Sequence, residues 1–161
     1  EWIRKSLRNA EELEKAYLRA LELYWSRTPN PLLPGAREFL SKCQELGHRL
    51  SLGTGNMERA ARLKLEYHGL NCFFPVGGFG EVSEDRAEVI RWAILEAKRH
   101  YEQDFATIWV VGDAPLDIEA AKANEVKAAI VSTGWYTREQ LLEYEPDLLC
   151  PDLHALAEVL F

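Results

Sequence analysis

Two short stretches carry side chains whose types and spacing suit chemistry on an anion. The first, "SLGTGN", runs from Ser51 to Asn56, and the second, "WVVGDAPLD", from Trp109 to Asp117. In the first, the glycines let the backbone approach a ligand closely. The Thr54 hydroxyl and the Gly55 N–H can both donate to one phosphate oxygen. A helix starting just after Asn56 adds unpaired N–H groups and a partial positive charge. The same residues also suit a plain strand-to-helix turn with Asn56 as N-cap. In the second stretch, Asp113 and Asp117 stand four residues apart. That spacing lets two carboxylates share a hard cation such as Mg²⁺, which takes oxygen ligands from one or two carboxylates, phosphate and water. The other reading is a solvated loop carboxylate at 113 and a helix N-cap at 117. If both stretches end strands on one rim of a sheet, a phosphate cradle faces a magnesium pair across a cleft. Phosphoryl transfer uses that layout, because positioning and charge neutralisation carry most of its catalysis.

The elements that must position these residues follow from periodicity. Residues 2 to about 27 read as a helix, with Leu13, Tyr17, Ala20, Leu21 and Tyr24 at helical spacing. "TPNPLLPG", Thr28 to Gly35, holds three prolines and a glycine and cannot continue it. The domain boundary is placed there, giving units of 1–28 and 29–161. Beyond it, helices are expected over 36–46, 57–67, 85–101, 117–123 and 153–160, the first ending at Gly47. Strands are expected over 49–52, 73–76, 107–111, 128–131 and 148–150. Asn124 is expected as a left-handed cap after the fourth of those helices. Strands alternating with helices predict an α/β fold, a three-layer Rossmann-like parallel sheet with helices on both faces. Such sheets bind ligands beyond the carboxyl ends of their strands, where both stretches lie.

Composition narrows the partners. The chain has 161 residues, 47% of them hydrophobic, enough for one sizeable core. The net charge of −7, without a basic block, argues against nucleic acid. No apolar run approaches the ~20 residues of a membrane helix, and no signal-peptide pattern opens the chain. Cys43, Cys72 and Cys150 are odd in number and form no C-x-x-C pair, which points to a reducing compartment and a cytoplasmic location. The four histidines share no metal-ligand spacing. Oligomeric state leaves no trace in the sequence.

"LLPGAREFLSKCQELGHRLSLGTGN", followed by "WVVGDAPLDIEAAKANEVKAAIVSTG", resembles the haloacid dehalogenase-like hydrolase superfamily, in its phosphoglycolate-phosphatase-like branch. The likeness covers residues 31–161 in order and spacing. It implies that Thr54 is the phosphate binder of the second motif, with Gly55 and Asn56 beside it. It implies that Asp113 and Asp117 are the metal-holding acids of G-D-x-x-x-D. It also implies that the helix before residue 28 is the tail of a helical cap over the site. The resemblance further implies Mg²⁺ as cofactor, a small phosphorylated substrate, and phosphomonoester hydrolysis through an aspartyl-phosphate.

Two departures from the family pattern stand out. The third-motif lysine has no counterpart between Lys64 and Lys98, and Arg86 is the candidate at the matching offset. Arginine keeps the charge and forks onto phosphate, but it does not reproduce a compact ammonium. Arg86 also suits a solvated place on the first turn of its helix. The larger departure is the nucleophile, since no Asp-x-Asp occurs anywhere in the chain. In the family that pair follows a central strand, lying between those expected at 49–52 and 107–111. The economical expectation is an upstream segment holding an apolar strand, Asp-x-Asp and the first cap helices, without which this fragment is inactive. A non-catalytic binding module and a metal-independent dehalogenase of the same fold are the rival readings. "GWYT", Gly134 to Thr137, either lines the cleft or is taken up in aromatic packing.

Overall fold

The computed structural model describes residues 2–27 and 30–161, with side chains from residue 11 onward. The boundary expected between 28 and 29 lies outside the described residues. Helix α1 (Trp2–Arg27) fills the expected range. Its stripe is rotated from the expected one. Glu14, Leu18, Leu21 and Trp25 are the partly buried positions, whereas Leu13, Tyr17 and Tyr24 stay exposed. The inward side meets α3 (Glu58–Tyr67), where Arg59 donates to Glu14 at 3.3 Å and Trp25 packs edge-on against Tyr67 and His68.

The rest is a three-layer α/β structure with parallel strands. Strands β1 (Leu52–Gly53) and β2 (Gly77–Gly78) form one parallel ladder. Strands β3 (Trp109–Gly112), β4 (Lys127–Val131) and β5 (Leu148–Cys150) form another, with Val110 opposite Ala128 and Ala129 opposite Leu148. Strand β4 shows why these strands read as unbroken apolar runs. Ala128 and Ile130 point into a core with Ile90, Ile118 and Leu141, while Ala129 and Val131 point into another with Phe39, Cys43 and Leu156. Both faces of the strand are buried, so alternation disappears. Helices α4 (Arg86–Tyr101), α5 (Pro115–Ala123) and α6 (Arg138–Leu142) supply one covering layer, and α2 (Ala36–Glu45) and α7 (Leu153–Leu160) supply the other.

Three local expectations are corrected. The strand expected at 73–76 is instead a single 3₁₀ turn, Asn71–Phe73, and the ladder forms just beyond it at Gly77–Gly78. Helix α4 passes close to this ladder: a Cβ on residue 78 would collide with the Val89 carbonyl oxygen, so glycine alone fits there. Asn124 keeps a right-handed backbone with φ −100°, and Glu125 takes the left-handed turn at φ 56°. The Asn124 amide ties helices together, donating to Ala87 and Ala120 carbonyls at 2.9 and 2.8 Å. Helix α6 was not foreseen, although "TREQ" carries its signature. Thr137 and Gln140 form a reciprocal capping box of 3.3 and 2.9 Å.

Between the two ladders the sheet is interrupted. Strand β1 is shorter than expected, because only Leu52 and Gly53 find a ladder partner. The Leu50 carbonyl accepts from the Tyr101 hydroxyl at 3.0 Å, and the Ser51 hydroxyl donates to Ala93 O at 2.8 Å. A cavity of about 430 Å³ is lined by Leu50, Ser51 and Gly53 from one ladder, by Trp109, Val110 and Val111 from the other, and by Ile90 and Ala93 of α4. Val111 on its wall is 41% exposed.

The thiols sort by the same burial. Cys43 and Cys150 are buried, and burial raises both thiols, Cys43 to about 11, whereas Cys72 is exposed. Thiolate is the reactive form, so in a thiol-colour assay at about pH 8 Cys72 alone should react quickly, with Cys43 and Cys150 following only on unfolding. Rapid labelling of all three would contradict this packing.

Candidate active site

Thr54 leaves the carboxyl end of β1, with its N–H donating to Gly78 O at 3.0 Å. Its hydroxyl oxygen accepts from the Asn56 N–H at 3.2 Å and from the Asn56 side-chain amide at 3.1 Å. Asn56 therefore ties the loop together and does not cap α3, whose N-cap is Met57. The loop after β2 seals this corner, Gly80 donating to Asn56 O at 2.9 Å. Gly55 is exposed at the tip. A carboxylate supports the first turn of α3 as well, for Glu81 accepts from Glu58 N at 2.7 Å.

Asp113 follows the carboxyl end of β3 and is partly buried. Asp117 lies in the first turn of α5, only 5% exposed, with all four lone-pair directions engaged. One oxygen accepts from Arg86 Nε and Nη2 at 2.9 and 2.7 Å, and the other from the backbone N–H groups of Asp113 and Ala114 at 3.2 and 3.3 Å. The structure thus pairs two of the residues expected at the site, Arg86 and Asp117, with each other. It holds Asp113 beside them through the backbone. Arg86 opens α4 and Asp117 lies in the first turn of α5, so this ion pair joins the rim beyond β2 to the rim beyond β3. The slot between the ladders opens along that rim, with Gly53 and Arg86 among its walls.

The electrostatics single out Asp113. Burial, then the neighbouring Asp117 carboxylate, pushes its carboxyl above the ordinary value of 3.8, and Arg86 offsets only part of this. Asp113 is an acid short of positive charge. A partly buried carboxylate is the kind of hard oxygen donor that Mg²⁺ takes, so Asp113 suits one ligand position of such a cation. Asp117, already carrying four donors, fits a supporting place that fixes the loop. Among the described residues no cluster of three or more His, Cys, Asp or Glu side chains could hold a metal without further ligands. The loop after β4 completes the wall, since a Cβ at Gly134 would collide with the Asp113 carboxylate. Trp135, next to it, is 99% exposed and packs on nothing, so the aromatic-packing reading of "GWYT" does not hold for it.

A family model described as haloacid dehalogenase-like hydrolase matches residues 2–124. The chain belongs to the haloacid dehalogenase-like hydrolase family. Within it, the chain is 30% identical over 152 residues to a phosphoglycolate phosphatase of Agrobacterium fabrum, covering 93% of this chain and 64% of that protein. The chain thus spans less than two thirds of the length of this relative. Among solved structures, a hydrolase from Pseudomonas syringae superposes with TM-score 0.72 at 21% identity, covering 95% of this chain and 72% of that one. A predicted phosphoglycolate phosphatase from Haemophilus somnus gives 0.71 at 18% identity, covering 89% and 61%. The structural likenesses bear out the α/β fold, and the Agrobacterium relative agrees with the phosphoglycolate-phosphatase-like branch. No described helix is long and apolar enough to cross a membrane.

Two residues at the site lie outside the set expected from the sequence. Lys64 donates to Asn56 Oδ1 at 3.1 Å from two turns along α3, and Gly134 makes room for Asp113. The helical offset from Asn56 to Lys64 was legible in principle, but nothing in the sequence says the side chain turns back.

Proposed function

We propose that the chain is the larger part of a magnesium-dependent phosphomonoester hydrolase acting on a small phosphorylated metabolite. The observation that carries this reading is the interrupted rim. In a member of a hydrolase family, the Thr54 hydroxyl loop follows Gly53 and the partly buried Asp113 lies two residues beyond Val111, and Gly53 and Val111 both line the slot between the ladders. The attacking aspartate comes from a segment upstream of Glu1, whose apolar strand lies in that slot between β1 and β3. The absence of Asp-x-Asp from the sequence supports this, as does the share of the relative's length that the chain spans. The exposed Leu13, Tyr17 and Tyr24 on α1 support a cap whose other helices cover that face.

In this mechanism the aspartate attacks phosphorus, the ester P–O bond breaks, and the leaving alcohol takes a proton from a second aspartate of the same segment. Water then cleaves the aspartyl-phosphate. Thr54 and the Gly55 N–H hold non-bridging oxygens, and Asn56 orients Thr54. Arg86 contributes the N–H groups that Asp117 does not engage. When bound at Asp113, Mg²⁺ supplies neutralisation of charge between nucleophile and phosphate.

The test is a screen of the full-length protein against small phosphorylated metabolites, with Mg²⁺ and with EDTA. Phosphate release that EDTA abolishes is expected. Halide release from 2-haloacids without metal would move the protein to the dehalogenase reading, and silence on every substrate to a binding module. Thr54→Ala should weaken the inhibition constant of inorganic phosphate by about 1–3 kcal/mol, the cost of removing a partner from a charged acceptor. An unchanged constant would remove Thr54 from the site.

A further inference from the structure

The phosphate-binding hydroxyl is useful only if its proton points outward. Thr54 Oγ1 has two lone pairs and one O–H. Its lone pairs receive the Asn56 N–H at 3.2 Å and Asn56 Nδ2 at 3.1 Å. With both filled, the hydroxyl proton is free to donate away from Asn56. This depends on which way the Asn56 amide faces. If it turned over, Oδ1 would face Thr54, and the hydroxyl proton would be drawn inward onto it.

Lys64 Nζ sits 3.1 Å from Asn56 Oδ1. An ammonium carries three donors and no acceptor, so only the amide oxygen can face it. The amide nitrogen is thereby committed to Thr54. The ammonium also polarises the amide, strengthening the Nδ2–H donor and in turn the Thr54 O–H donor. Lys64 lies eight residues beyond Asn56, about two turns into α3. The Nε and Nη2 donors of Arg86 are held by Asp117 and are not available to this loop.

We infer that Lys64 is a positioning residue for phosphate binding, which acts through the Asn56 amide to fix the Thr54 hydroxyl as an outward donor. The inference rests on the phosphatase reading of this loop. It places a lysine behind the phosphate site, from a helix where the family pattern does not lead one to look.

The experiment uses the full-length protein with Mg²⁺ and p-nitrophenyl phosphate, with inorganic phosphate as competitive inhibitor. Lys64→Met should raise both KM and the phosphate inhibition constant about fivefold to tenfold, the range of one or two net hydrogen bonds, with a smaller change in kcat. Lys64→Arg should return both constants to within about twofold of the parent, because a guanidinium likewise only donates. Asn56→Ala should match Lys64→Met, and the double variant should lose no more than the worse single one, since both break a single chain of contacts. A merely structural lysine would move the melting temperature and not this pattern. Unchanged constants in Lys64→Met, or additive losses in the double variant, would overturn the inference. If Lys64→Met does not fold, Lys64→Ala takes its place, with the same expected rise in both constants and the same overturning result. If Thr54→Ala leaves the inhibition constant unchanged, the phosphatase reading of the loop falls and takes this inference with it. If Thr54→Ala weakens inhibition and Lys64→Met does not, only the inference falls.

Discussion

Asp113→Asn in the full-length protein should reduce Mg²⁺-dependent phosphate release by at least ~10³-fold, equivalent to about 4 kcal/mol of barrier. Asparagine keeps the shape and one acceptor oxygen but removes the charge that would hold the cation. The same substitution should make the metal-free protein slightly more stable at neutral pH. Burial and the Asp117 carboxylate raise the Asp113 carboxyl above 3.8, so the folded chain binds this proton more tightly than the unfolded one. Ionised Asp113 therefore costs stability above its folded pKa and costs nothing once pH falls below 3.8. The site is open enough for water to screen it, so the gain in Asp113→Asn is less than about 1 kcal/mol. It should fade as the pH of the melt is lowered into the carboxylate range. Mg²⁺ should raise the melting temperature of the parent and leave Asp113→Asn unmoved. Undiminished turnover in the variant, or equal Mg²⁺ stabilisation of both proteins, would strip Asp113 of its role.

The Arg86–Asp117 pair carries the second large effect, on stability. Asp117 is 5% exposed and its oxygens collect four donors, two from Arg86 and two from the backbone at 113 and 114. Asp117→Ala would leave a partly buried guanidinium unpaired and two loop N–H groups without acceptors. The expected loss is about 3 kcal/mol, the range seen when one partner of a buried pair is removed. For a chain of this size that is a fall of roughly 6–12 °C in melting temperature. Asp117→Asn, which keeps acceptors for the loop, should lose about half as much. Arg86→Met combined with Asp117→Ala should recover part of the loss, because no charge is then left unpaired. A melting temperature within a degree or two of the parent for Asp117→Ala would mean that the network does not hold the rim together.

What the sequence determined by itself was local or periodic. Unbroken apolar runs such as that of β4 mark strands buried on both faces, and alternation with amphipathic helices fixes the parallel α/β class. Strand-end residues are legible for the same reason, since Thr-Gly-Asn follows the carboxyl end of β1 and Asp113 that of β3. Helix α7 and strand β5 match their expected ranges, because each is bounded by strong local signals. Tertiary structure decided what depends on partners distant in sequence. The strand expected at 73–76 forms instead at Gly77–Gly78, where only glycine tolerates the approach of α4 at residue 78. Helix α1 turned a different stripe inward because the surface of α3 chose it, and several apolar residues were available on α1. Arg86 bonded to Asp117 across two helix starts, and Lys64 to Asn56 across two turns, because long polar side chains go where a complementary charge or dipole stands in space. Helical spacing gives the direction in which a side chain leaves its element. It does not give the atom that the side chain meets.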